Sequence, residues 1–130
     1  MDMMGALIAR LLAAGAVAAL AADRVYPVSR PQLTGLPAVT LQVIDQERAQ
    51  HMGGVQNFQQ ALVQVDAWAA SYAAAAALKE AVLAALLPAQ SGNGIDFQRA
   101  FVRSRDLGEQ TDTVFVHRHS MDFTISYSAQ

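Results

Sequence analysis

The chain has 130 residues, 9 basic and 11 acidic side chains and no cysteine. That length predicts one domain with one modest core. A formal net charge of −2 excludes a strongly basic nucleic-acid-binding domain, whose affinity comes from Lys and Arg neutralising phosphates. The lack of cysteine excludes a disulfide framework, thiolate zinc sites and a cysteine nucleophile, and leaves the redox compartment open.

Residues 1–22 imitate an export signal without its cationic start: Asp2 stands there, and Arg10 interrupts the apolar stretch. The apolar run from Leu11 to Ala22 is too short for a bilayer span, which needs ~20 residues. A packed helix fits instead. Asp2 can cap it, and Met4, Leu7, Ile8, Leu11, Ala14 and Ala18 recur at helical spacing on one buried face.

A connector punctuated by Pro27, Pro31, Gly35 and Pro37 follows. Val39, Leu41 and Val43 then alternate with Thr40 and Gln42, which predicts a strand over 38–45. Residues 46–57 are polar, contain Gly53-Gly54 and show no periodicity, so a long mobile hairpin loop is expected there. Alternation returns over Phe58–Trp68, with Ala61, Val63, Val65 and Ala67 on one face. Ser71 caps a second helix running to about Leu87, with Ala75, Leu78, Val82, Ala85 and Leu86 as its apolar stripe and Pro88 beyond its end. A less regular strand is expected over 95–105 and a long one over 113–127. The order α-β-β-α-β-β predicts an α+β domain: an antiparallel sheet of about four strands in two hairpins, with two helices packed on one face.

The chemistry-bearing residues form no recognisable machinery. His117 and His119 point the same way on a strand, ~6.6–7 Å apart, so both can face one metal. A zinc site needs a third or fourth ligand, and no spacing ties His51 to the pair. A strand end or subunit contact is the plainer reading. Asp66, Arg118, Ser120 and Asp122 read as a strand's solvated face, with no nucleophile elbow or diagnostic carboxylate pair. Gly92-Asn93-Gly94 lacks the Lys-Ser/Thr of a phosphate loop and reads as a turn. No enzyme activity, metal or cofactor is expected. Arg99, Arg103 and Arg105 form the densest basic cluster, answered by Asp106, Glu109 and Asp112. Eight of the nine cations are arginine, the cation suited to bidentate pairing across interfaces.

Several segments together resemble the tail-terminator family of long-tailed bacteriophages, also called tail-completion or tail-to-head joining proteins. They are Asp23-Arg24-Val25-Tyr26-Pro27, Leu36-Pro37-Ala38-Val39-Thr40, Val63-Gln64-Val65-Asp66-Ala67-Trp68, Ser71-Tyr72 with the helix holding Leu78, Ala81 and Val82, and Arg118-His119-Ser120-Met121-Asp122-Phe123-Thr124-Ile125. Their succession covers almost the whole chain, as one domain over 1–130. The resemblance implies a non-enzymatic virion protein. Members form a ring, commonly hexameric, on the head-proximal end of the tail tube. The ring stops tube elongation and docks the connector stopper protein of the head, with DNA passing through its lumen unbound. Prophages and gene-transfer agents carry the same family, so assembly in the bacterial cytoplasm and residence at the head–tail junction are implied.

In a cyclic ring each subunit uses two different patches. The candidate interface residues are Arg99, Arg103 and Arg105, facing Asp106, Glu109 and Asp112 of a neighbour. Gln50, His51, Met52 and Gln56, in the 46–57 loop, are candidates for contact with the tube or connector. Two competing readings are another joining component, such as a stopper or adaptor, and a small cytoplasmic α+β ligand- or metal-binding domain using His117 and His119.

Overall fold

The opening alanine-rich segment breaks at its weakest helix former. Helix α1 (Met3–Ala13) stops at Ala14, whose φ of −76° and ψ of 116° are extended, and α2 (Gly15–Ala21) restarts across an 82° bend. Glycine is ~1 kcal/mol less favourable than alanine inside a helix, so an interruption at Ala14-Gly15 forfeits little. The bend turns Val17 and Ala21 inward beside Leu7 and Leu11. The single helix expected over 1–22 is thus two, with Ala18 exposed. Asp2, the expected cap, lies outside the described residues. Among those residues no single helix is long and apolar enough to cross a membrane.

The computed structural model describes residues 3–28, 35–51, 54–92, 94–110 and 115–129, with backbone alone at 47–51, 54–58, 106–110, 115 and 129. Strands β1 (Val25–Pro27), β2 (Ala38–His51) and β3 (Gly54–Ala69) precede α3 (Tyr72–Leu86). Strands β4 (Gln90–Gly92), β5 (Ile95–Phe97), β6 (Phe101–Gln110) and β7 (Phe115–Ala129) follow it. They form one sheet ordered β1-β2-β3-β7-β5-β4, with β6 also paired to β7. One edge of β7 pairs with β3, and its other edge is shared by β5 and β6. Because β3 and β7 are antiparallel, the β2–β3 ribbon, ending at the His51–Gly54 pair, and the β6–β7 ribbon, ending at Gln110–Phe115, reach opposite ends of the sheet.

These findings correct the expected four-strand antiparallel sheet with two helices. The described residues form three helices and seven strands in a mixed, strongly curled sheet. The parallel member is β1, a three-residue strand inside the proline-punctuated connector. Arg24 anchors it: its carbonyl accepts from the Val39 amide at 2.9 Å, and its Nε donates to the Pro37 carbonyl at 2.8 Å. Positions 46–51 and 54–57, expected in an irregular loop, belong to β2 and β3. Hydrophobic alternation reports burial on one side, whereas the pairing here is shown by the main-chain ladder. Two register irregularities, at Val43/Asp45 and Arg48/Gln50, interrupt this ladder, and such irregularities raise local twist. The strand expected over 95–105 is split, because residues 98–100 leave β5 for β6 while the Ala100 amide bonds to the Leu87 carbonyl at 2.9 Å.

All three helices contribute to one core on one face of the sheet. Leu7, Leu11, Val17, Leu78, Val82 and Leu86 meet Leu41, Val63, Val65, Met121, Phe123 and Ile125. Helix α3 starts as its sequence predicts, with Ser71 Oγ accepting from the Ala74 amide at 3.1 Å. Its far end is met by Arg10 of α1, only 6% exposed, whose Nη2 donates to the carbonyls of Ala85 at 2.7 Å and Pro88 at 3.0 Å. The same guanidinium lies 5.1 Å from the Phe97 ring centroid. Desolvation pulls its pKa below the ordinary arginine value.

Arg10→Ala should therefore cost about 3 kcal/mol, because it removes two charge-assisted bonds and a cation–π interaction from a buried site. Urea unfolding would measure it, and a change under ~0.5 kcal/mol, the size of an ordinary surface substitution, would remove Arg10 from this role.

Candidate functional site

Residues opposite one another in an antiparallel ladder share a face, so the registers define what the helix-free face carries. One row runs Thr40, Asp66, Ser120, Arg105 and the next runs Gln42, Gln64, Asp122, Arg103. On one side of these lies Ala38, Trp68, Arg118; on the other lies Asp45, Leu62, Thr124, Phe101. Polar side chains dominate this face, and two clusters organise it.

The first centres on Asp66, which is buried although its alternation predicted a solvated position. Gln64 Nε2 donates to both its carboxylate oxygens, at 3.1 and 3.2 Å, and Arg118 Nε lies 3.4 Å from Oδ2. The Arg118 guanidinium also stacks 5.1 Å over Trp68, whose indole N–H donates to Thr40 Oγ1 at 2.9 Å. Ser120 is likewise buried rather than solvated. Long neighbours on a curled sheet fold over short ones, and strand periodicity does not register that cover.

The second cluster lies toward the β6 edge. Arg105 Nη1 reaches Asp122 Oδ2 diagonally at 2.8 Å, with both side chains partly exposed. Arg103 sits opposite Asp122 and is exposed. Phe101, 70% exposed, borders a shallow groove with Leu62, Val102, Arg103, Asp122 and Thr124. Neighbouring Asp45, Gln60 and Ala61 extend the concavity across β2 and β3.

The expected interface residues fall into two places. Arg103, Arg105, Asp106 and Glu109 all lie on β6, with Arg99 exposed just before it. Gln50 and His51 end β2 and Gln56 lies in β3, toward the opposite end of the sheet. Met52 and Asp112 lie outside the described residues. His117 and His119 occupy the helix side, where Tyr72 packs against both, at ring-centroid separations of 6.0 and 5.2 Å. Among the described residues no group of three or more His, Cys, Asp or Glu side chains is placed to hold a metal ion. Sequence reading gave Phe101 no role and took Asp66 and Arg118 for a solvated strand face, missing their grouping with Trp68. An Asp-x-Trp pair on an otherwise polar strand face was the available signal for that grouping.

Residues 5–128 match the family model described as tail completion protein gp17. No curated protein matches the chain. A solved chain from the virion of a native gene transfer agent particle shares the fold, with a TM-score of 0.75 and 21% identity over 98% of this chain and 95% of that one.

The two ion pairs should differ in what they contribute to folding. Asp66→Ala, which leaves the part-buried Arg118 uncompensated, should cost about 2 kcal/mol, whereas Arg105→Ala should cost less than about 1 kcal/mol. Thermal or urea unfolding of both variants checks the order, and equal costs would contradict it.

Proposed function

Because this chain belongs to the tail completion protein gp17 family, we propose that it closes the head-proximal end of a long phage tail as a ring of identical copies. The family places it among bacteriophage-type structural proteins of the virion tail. The match over residues 5–128 is the observation that carries the reading. As one domain over 1–130, the chain assembles into a ring of about six copies. The ring ends tube elongation at the major tail tube protein and docks the stopper protein of the head connector. It acts by shape and contact, with no catalytic step.

The layout of the sheet supports a two-ended role. The β2–β3 ribbon, with Gln50, His51 and Gln56 toward its end, reaches one partner, and the β6–β7 ribbon reaches the other. Their charges differ: 46–57 holds Glu47 and Arg48 in balance, whereas 106–112 holds Asp106, Glu109 and Asp112 with no cation. Arg99, Arg103 and Arg105 serve contacts between neighbouring copies. On the open face Arg103, Arg105 and Arg118 are set among Asp45, Asp66 and Asp122. A near-neutral chain avoids the strong, salt-dependent phosphate binding that would retard passing DNA.

Deleting the gene and imaging lysates by electron microscopy tests the reading. Tails of uncontrolled length beside unjoined full heads are expected, and normal-length joined particles would end it. Arg103→Ala combined with Arg105→Ala should weaken ring assembly, seen as a smaller mass by light scattering, and an unchanged mass would count against the interface assignment.

A further inference from the structure

We propose that the ring is closed by strand pairing, with β6 of one copy adding to the free edge of β2 in the next, so that the sheets join into one continuous ladder. The inference rests on the ring reading and names the contact that builds it.

Besides the outer edges of the three-residue strands β1 and β4, two longer edges lack a strand partner among the described residues. Strand β6 pairs with β7 alone. Strand β1 covers β2 at Val39–Leu41, where the Val28 amide closes onto the Leu41 carbonyl at 2.7 Å, and among the described residues no strand pairs with β2 on that side from Gln42 onward. Such edges present rows of unsatisfied N–H and C=O groups that another strand can complete. Two of the large apolar side chains exposed in one copy, Ile44 and Phe101, sit on these same two strands.

Direction and register agree with this pairing. Strands β2, β3, β7 and β6 alternate up and down. Rotation about a ring axis preserves direction, so β6 meets the next copy's β2 antiparallel. One register sets Arg103 opposite Glu47 and Arg105 opposite Asp45, with Ser104 opposite Gln46 between them. Positions 45–48 form the regular stretch between the two ladder irregularities of β2. Ladder register also puts positions 45 and 47, opposite Leu62 and Gln60, on the helix-free face that positions 103 and 105 share. A slip of one residue would set unlike faces together, and a slip of two would leave one arginine opposite Val43 or Ala49.

The geometry of closure is also met. Within one chain Phe101 lies level with Asp45 and Arg103 with Gln42. The proposed register therefore offsets successive copies by about five residues, ~16 Å, across four strands spanning ~19 Å. That is a strand tilt of about 40°, within the ~35–45° of closed barrels.

The chain has no cysteine, so an engineered pair reports cleanly. Gln46→Cys with Ser104→Cys places two thiols opposite each other between copies, at a separation a disulfide spans. Oxidised particles carrying both changes should give a non-reducing gel ladder in multiples of 13.9 kDa, and particles with either change alone should not. Joined particles of the double variant that yield only monomer would overturn the proposal. Should the cysteine pair block assembly, charge reversal decides. Arg103→Glu with Arg105→Glu should cut joined particles at least tenfold, and adding Asp45→Arg with Glu47→Arg should restore them; no restoration overturns the pairing. Gene deletion separates the two levels: a deletion phenotype without the cross-link or the rescue removes the strand pairing and leaves the terminator reading standing.

Discussion

Arg10 is the residue through which the helical layer holds together. It comes from the first helix, yet its guanidinium ends the third helix by taking two carbonyls that have no intrahelical donor, and it covers the Phe97 ring of β5. A cation at a helix C-terminus also opposes the partial negative charge there. The site is nearly closed to water, so these bonds are not exchanged cheaply for solvent. An apolar residue would fill the space and leave the Ala85 and Pro88 carbonyls unmet. One side chain thus ties α1 to the end of α3 and to β5.

The sheet separates two kinds of work. Its helix side is filled by Leu, Val, Phe and Ile side chains and supplies the stability. Its open side is ordered by polar bonds around Asp66 and Arg118, which shape the surface while contributing less to folding. Toward the β6 edge those bonds give way to Arg103 and Phe101, which a single copy leaves in solvent. Stability thus rests on residues other than this exposed edge, and a substitution on the open side near β6 should change folding little.

Much of the core was legible from period alone. Ala61, Val63, Val65 and Ala67 on β3, the stripe of α3 and the alternation of Met121, Phe123, Ile125 and Tyr127 all lie where their spacing predicts. What escaped has physical causes. The break uses a glycine visible in the sequence, but Gly5 lies inside the unbroken α1, so packing decides that Ala14-Gly15 is the place of the bend. Strand β1 is three residues long and acquires its identity from Arg24 and Val39, not from its own pattern. The strand positions at 46–51 and 54–57 are held by main-chain bonds, to which side-chain hydropathy is blind. The Arg103–Arg105 cluster was visible as charge, but its place on a bare strand edge emerged only with the topology.

The two ribbons at opposite ends of the sheet lengthen by different rules from a loop. Each added cross-strand pair extends reach by ~3.3 Å and inverts which side the following residues face. Evolutionary change at either extremity is therefore favoured in steps that preserve phase, two residues per strand at a time. Because the extremities share no residues, each can change in length and sequence while the other stays as it is.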